Sequence, residues 1–438
     1  MIFDQLDQIE KQLGQADVKK WEILCDSSTA APVLFEYDKL KEIGYREASG
    51  VGLRIIHEGR IGFTSTSNPD RFSDLPAAAL ASAAYGEKAT FDFPSQPIDG
   101  RINTYDESTA QVSSETLIER GEKMVSMIKE EIGDVQAQVE FHPNTHSRLI
   151  RNSTGLDAMY ETTGLGVSVE GILVEGDSIL SVYDSHESCR DDALIETMAI
   201  RVIERVRMAR EVTDFPSGGY PVLFTPKASA SLFMGIQMGT NGRLVQKGAS
   251  PLTERIDQSI VDPRIMIVDD PFLEMKPGSR PFDAEGIASQ RNTVIEGGVL
   301  KQFLFDLQTA GRMNAKSTGN AVRGYSGPPS PAWTNLVMDP GTDSVEDLVA
   351  GMKQGILVDQ VLGAGQSNLL MGEFSVNVSL GFRVEKGEIQ GRVKNLMVAG
   401  NVYEALSNVE SFSREQEYTH HMLLPSILFG RLQIASRA

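Results

Sequence analysis

Six histidines, His57, His142, His146, His186, His420 and His421, are the side chains of this sequence best suited to metal or proton-transfer chemistry. None forms an HExxH, the helical spacing that sets two imidazoles on one face with a carboxylate base between them. His142 and His146 have the i, i+4 interval, but Pro143 and Asn144 lie between them and break a helix. A surface hairpin turning at 142–145 is the expectation. His420 and His421 stand near Glu415 and Glu417, yet adjacent residues on a strand point to opposite faces and rarely share one ion. His186, with Asp184, Glu187 and Cys189, has suitable donor atoms in a short polar segment that reads as a solvated loop.

Other chemistries are poorly represented. Cys25 and Cys189 are far apart and in no CxxC pattern, so neither a disulfide framework nor a cysteine-rich metal site is indicated. No GxSxG elbow, phosphate loop or dinucleotide fingerprint falls between a strand and a helix. Gly363-Ala364-Gly365-Gln366-Ser367-Asn368 has the glycines of a phosphate cradle, but no lysine follows and strand-like alternation resumes over 374–380.

The elements that must position these residues are legible in outline. At 438 residues the chain is too long for one ordinary core. Ile2, Phe3, Leu6, Ile9 and Leu13 give residues 1 to 20 one apolar helical face. Extended segments follow at 21–24 and 33–37, then a hairpin whose arms 51–57 and 61–64 flank Glu58-Gly59-Arg60. Helices are expected over 76–84, 113–131 and 191–210, and strands over 136–141, 148–151, 166–174 and 178–183. Turn-formers crowd Asp214-Phe215-Pro216-Ser217-Gly218-Gly219-Tyr220-Pro221. Beyond it, glycine turns flanked by apolar alternation recur, as at 294–300 and 382–389. The expected fold is α+β: an N-terminal mixed α/β domain over 1–213 and a C-terminal domain over 221–438 dominated by antiparallel sheet, with the boundary near 214–220. The proline-rich stretch 319–331, which carries Arg323 and Tyr325, is expected to be a loop.

A formal charge of −19 repels polyanions. The densest basic run, Arg201 to Arg207, is broken by Glu204 and reads as a solvated helix face, so no direct nucleic-acid partner is expected. Acids at Asp4 and Asp7, the lack of a transmembrane-length apolar run, and the two unpaired cysteines lead to the expectation of a cytoplasmic protein without a membrane partner.

An ordered set of phrases carries a resemblance. Asn152-Ser153-Thr154-Gly155, Gly248-Ala249-Ser250-Pro251-Leu252, Asp283-Ala284-Glu285-Gly286, Gly297-Gly298-Val299-Leu300, residues 363–368 with Gly372-Glu373-Phe374-Ser375, and residues 393–400 together resemble TldD/PmbA proteins in content, order and spacing. The resemblance covers roughly residues 140–438. It implies a two-domain α+β fold and a metallopeptidase-like role on unfolded or small peptides. It also carries the family label of DNA gyrase modulator. In the catalytic TldD type, a helix bears HExxxH, whose histidines bind zinc and whose glutamate is the general base, and a later cysteine completes the site. The PmbA or TldE type lacks that motif and pairs with TldD.

The matching helix is placed over 226–238, with Thr225 as N-cap and Pro226 at its first position. Counted back from Lys247-Gly248, the three motif positions fall on Phe233, Met234 and Met238. Neither an aromatic ring nor thioethers serve zinc hydrolysis, and no cysteine follows Cys189. Leu232, Phe233, Met234, Ile236 and Met238 are expected to be buried core, so no catalytic residue, metal or cofactor is assigned. The expected function is a non-catalytic subunit of a TldD-type complex. Its partners would be the TldD-type catalytic subunit and an unfolded or small peptide, with a homodimer left open. One alternative is an active metallopeptidase with a substitute site drawn from His186, His420, His421 and nearby acids. Another is a homo-oligomeric peptide-binding or regulatory protein.

Overall fold

The computed structural model describes residues 6–95, 98, 102–176 and 178–436. Ile2 and Phe3 of the expected opening helix lie outside them. Helix α1 (Leu6–Gln15) buries Leu6, Ile9 and Leu13 along the face that their spacing creates. The first sheet gathers β1 (Trp21–Ala30), β2 (Val33–Glu36), β3 (Lys39–Ile43), β4 (Arg46–His57) and β5 (Arg60–Thr66). After α2 (Leu75–Ala83), α3 (Glu107–Ala110) and α4 (Ser114–Glu131), three long strands join it: β6 (Gln136–Asn152), β7 (Asp157–Glu175) and β8 (Ser178–Ser188). Strand β6 pairs with β7 from Gln136↔Ile172 to Arg151↔Asp157, and among the described residues β8 pairs with β7 alone, leaving its other edge without a strand partner.

Two expectations are corrected here. Residues 142–145 do not turn, because β6 runs unbroken through His142 and His146. Pro143 is tolerated at the corner where β6 exchanges one neighbour for another. Strand β2 pairs with it up to Phe141 and β1 from Asn144 onward, and Pro143 O still accepts from Ala31 N at 3.1 Å. His186 is on strand β8, paired opposite Val167, and not in a loop.

Helix α5 (Ile195–Ala209) leads to the second sheet, formed by β9 (Val212–Thr213), β10 (Gly218–Phe224), and, beyond α6 (Pro226–Gly239) and α7 (Gly242–Gln246), by β11 (Ile267–Asp269), β12 (Asn292–Glu296) and β13 (Val299–Leu300). Helix α8 (Leu307–Arg312) and a two-stranded ribbon, β14 (Ala321–Val322) with β15 (Ser330–Pro331), precede β16 (Leu336–Met338), α9 (Val345–Gly351) and β17 (Gln354–Leu362). The sheet is completed by β18 (Glu373–Glu385), β19 (Glu388–Val393), β20 (Leu396–Asn401) and, after α10 (Val402–Ser407), by β21 (Val409–Thr419) and β22 (Met422–Ser436). Most of its pairings are antiparallel; β10 with β17, β16 with β22 and β19 with β9 are parallel. Part of the expected turn-rich segment is thus strand, since β10 begins at Gly218.

The two sheets share a core. Phe141, Val167, Met198 and Val202 pack with Leu357, Phe382 and Leu428 in one apolar cluster. Beside it runs a fully buried ion network. Arg54 on β4 reaches Glu285 Oε1 at 2.5 Å and Glu22 Oε1 at 3.1 Å, with every partner at most 3% exposed. Arg323 pairs with the same Glu22 and donates Nε to Ala284 O at 3.1 Å. Two arginines therefore face two glutamates, the arrangement that makes burial of such charges tolerable. The loop at 319–331 is bound down as well: Tyr325 lies so close over Gly50 and Gly52 that a Cβ at either would stand under 2.5 Å from it.

Candidate functional site

Helix α6 starts where Thr225 accepts the amide of Ala228, with Pro226 in the first turn. Leu232, Phe233 and Ile236 are buried against the second sheet. The uniform burial expected of this helix does not hold. Met234 is 40% exposed and Met238 only partly covered, and with Ser231 and Gln237 they form an open stripe at i, i+3, i+6 and i+7. Gly235 lies against Val402 and the carbonyl of Leu369, which closes the opposite flank. The stripe presents thioethers, an amide and a hydroxyl. It has no base.

The N-terminal turn of α6 meets β8. Lys227 Nζ lies 2.6 Å from Asp184 Oδ1 and 3.1 Å from Tyr183 O, with both charged side chains nearly fully buried. Arg201 and Arg205 approach Asp184 at 3.4 and 3.9 Å, and Arg205 Nε is 3.5 Å from Asp359 Oδ2. Burial pushes the Glu417 carboxyl up from its ordinary value, against the pull of Lys227. Beside this cluster opens a cleft of about 260 Å³ lined by His186, Glu187, Asp192, Arg201, Lys276 and Glu417. His186 Nε2 is 2.7 Å from Asp192 Oδ1. Burial opposes ionisation of Asp192, but hydrogen bonds from His186 and Arg190 hold its carboxyl below the usual range.

The remaining histidines are dispersed. His142 pairs with Glu140 at 3.0 Å, His146 with Asp26 at 3.4 Å, and His57 is exposed at the end of β4. His420 and His421 form the two-residue turn joining β21 to β22, both left-handed with φ of 50° and 59°, and so are not strand residues facing opposite sides. His421 lines a second cleft, of about 360 Å³, with His142 and Glu187. His186 and His421 thus open into different clefts. Among the described residues no group of three or more His, Cys, Asp or Glu is placed to hold a metal ion. The substitute site of His186, His420 and His421 is not assembled. Both cysteines are buried, and burial pushes the Cys25 thiol up to about 12 and the Cys189 thiol up to about 11.

Sequence reasoning missed Lys227, Arg205, Asp359 and the network of Glu22, Arg54, Glu285 and Arg323. The available signal was a charged residue inside an apolar element, such as Glu22 between Trp21 and Ile23, or Lys227 in the first turn of an apolar helix. The phrase Asp283-Ala284-Glu285-Gly286 is a seam between the sheets. Asp283 Oδ1 accepts the amides of Glu285 and Ile287 at 2.9 and 3.0 Å, while Glu285 receives Arg54.

Two sheets sharing a core, with α6 and its buried Lys227 at their junction, define an α+β scaffold. The model of the PmbA/TldA metallopeptidase C-terminal domain matches residues 217–436, and that of PmbA/TldA metallopeptidase domain 1 matches residues 21–85. The chain belongs to the PmbA/TldD metallopeptidase family. It is 26% identical over 420 residues to a Methanothermobacter thermautotrophicus protein named metalloprotease, covering 92% of this chain and 88% of that one. The crystal structure of TldE from Thermococcus kodakarensis is similar with a TM-score of 0.89 at 25% identity, covering 98% of this chain and all of the other. A Thermotoga maritima chain described as a candidate modulator of a DNA gyrase shares the fold, with a TM-score of 0.91 at 23% identity over 99% of this chain and all of that one.

The family name implies a metal. Residues 226–253 contain no His, Asp, Glu or Cys, so the side chains of α6 and its C-terminal flank do not fit a zinc ion.

Proposed function

We propose that this chain is the non-catalytic, TldE-like subunit of a TldD-type metallopeptidase complex that handles unfolded or small peptides. The reading rests on one observation above the rest: the open stripe of α6 places Met234 and Met238 where solvent reaches them, yet offers no imidazole, carboxylate or thiolate to bind zinc or take a proton. In this reading Phe233, Met234 and Met238 occupy the positions of the catalytic motif, and the chain supplies surface and enclosure while the partner supplies zinc. Residues 1–213 and 221–438 act as its two domains. The cytoplasm is the proposed location; no helix among the described residues is long and apolar enough to cross a membrane.

The test is co-purification with a TldD-type protein, followed by metal analysis and cleavage of casein or unfolded peptides by each chain and by the mixture. Cleavage and zinc that appear only with the partner support the reading. Zinc near one per chain with chelator-sensitive cleavage by this chain alone would sink it.

A further inference from the structure

The edge of β8 that has no strand partner among the described residues borders, with β18 and β19, an open cleft of about 690 Å³, which shares no lining residue with α6 or with the clefts of the histidines. Arg392 lines it. This arginine is 3% exposed, its Nε is sealed from solvent without an acceptor, and it forms no ion pair with any described residue. A guanidinium buried without a counter-charge is costly; Arg54, Arg148 and Arg323 each have a carboxylate, while Arg280, 9% exposed, shares with Arg392 the lack of an ion pair among the described residues. Lys394 stands in the same lining and donates to Ser178 Oγ at 2.7 Å. Glu175, the acid of the lining, is exposed on β7. Among the described residues of the lining, two cations, Arg392 and Lys394, stand against one acid, Glu175.

The backbone edge of β8 alongside has no strand partner among the described residues. Tyr183 O points away from β7, since it receives Lys227 Nζ and Gln360 Nε2, each at 3.1 Å. By the two-residue alternation of an antiparallel strand, the amides and carbonyls of Ile179 and Ser181 face the same way, and both residues line the cavity. An extended chain can pair there as an added strand.

We propose that Arg392 and Lys394 form an oxyanion subsite that takes the C-terminal carboxylate of an extended peptide paired to β8 at Ile179 and Ser181. The inference rests on the peptide-handling reading above. A planar guanidinium donates two parallel hydrogen bonds to a carboxylate, and the strand edge supplies affinity independent of side-chain sequence. An inorganic phosphate has the same oxyanion chemistry and is distinguished by the test.

Fluorescence anisotropy on the full chain, alone and with a TldD-type partner, would compare a labelled extended pentapeptide bearing a free C-terminal carboxylate with its C-terminal amide. The acid is expected to bind at least about tenfold tighter, and Arg392→Gln to bring it to the affinity of the amide without lowering the unfolding midpoint. Equal binding of acid and amide, or an acid preference that survives Arg392→Gln, overturns the subsite while leaving the peptide reading intact. Failure of either peptide to bind under both conditions overturns both. Saturable binding of inorganic phosphate, lost in Arg392→Gln, would in that case reassign the pocket to phosphate.

Discussion

Lys227 and Asp184 meet at 2.6 Å between the first turn of α6 and the edge strand of the first sheet, with side chains 2% and 1% exposed. The pair ties the first turn of α6 to the first sheet. Two charges at that depth are held by each other and by satisfied hydrogen bonds, here the one Lys227 gives to Tyr183 O.

Lys227→Met should therefore destabilise the chain by about 3 kcal/mol, the lower end for breaking a buried pair, because Arg201 at 3.4 Å still offsets part of the Asp184 charge. Adding Asp184→Asn in the same chain should recover most of the loss, since no buried charge is then stranded. Urea unfolding of both variants and the double variant measures the coupling. A loss under 1 kcal/mol for Lys227→Met would mean that water reaches the pair.

Burial pushes the Glu285 carboxyl up to about 7 despite Arg54 at 2.5 Å, because Asp283, Asp306 and Glu22 crowd it. A carboxyl whose folded value lies above its unfolded value binds its proton more tightly when folded. Its contribution to stability is therefore complete below the unfolded value near 4.5 and is lost as pH rises toward 7. Stability should fall by up to about 3 kcal/mol across that window, and Glu285→Gln should flatten the slope. Unfolding curves at half-unit pH steps decide it. A slope unchanged by the substitution would place the titration elsewhere.

The thiols give a simpler expectation. With Cys25 pushed up to about 12 and Cys189 to about 11, neither carries appreciable thiolate at pH 8. Iodoacetamide should leave both unmodified in the native chain and label both in denaturant, as read by intact mass. Rapid labelling of the native chain would show that one of these sites opens.

Much of the second half was legible because its hairpins turn on residues that tolerate left-handed backbone. Gly297 and Gly298 have φ of 56° and 75°, Lys386 and Gly387 have 52° and 80°, and each pair is flanked by the alternation of its strands. Pro143 misled because the cost of a proline in a strand depends on what lies opposite, and here its missing amide falls at the corner between β2 and β1. His186 misled for a related reason. A run of polar residues reads as loop, but β8 is an edge strand whose Asp184 meets Lys227 and whose His186 meets Asp192. The seam itself was hidden, since Glu22 and Glu285 are 263 positions apart and only the fold sets both on Arg54. The family phrases pointed to the right scaffold, but the exposure of Met234 depends on how α10 and the 369–371 turn sit over α6, which no local pattern encodes.

That exposure sharpens the test of the motif. Met234→Glu places a carboxylate on the open stripe and should cost under about 0.5 kcal/mol, as surface changes do. Phe233→His is different, because Phe233 is fully buried in the core of the second sheet. Replacing it loses apolar packing and strands an imidazole among aliphatic neighbours, at a cost of about 3 kcal/mol or more. In the proposed reading, rebuilding the histidine and glutamate positions on this backbone fails at its first residue: an imidazole at 233 points into the core while a carboxylate at 234 points to solvent. The triple variant Phe233→His, Met234→Glu, Met238→His should bind no stoichiometric zinc by elemental analysis and cleave no casein. Zinc binding near one per chain would show that α6 can rotate or shift to bring position 233 outward.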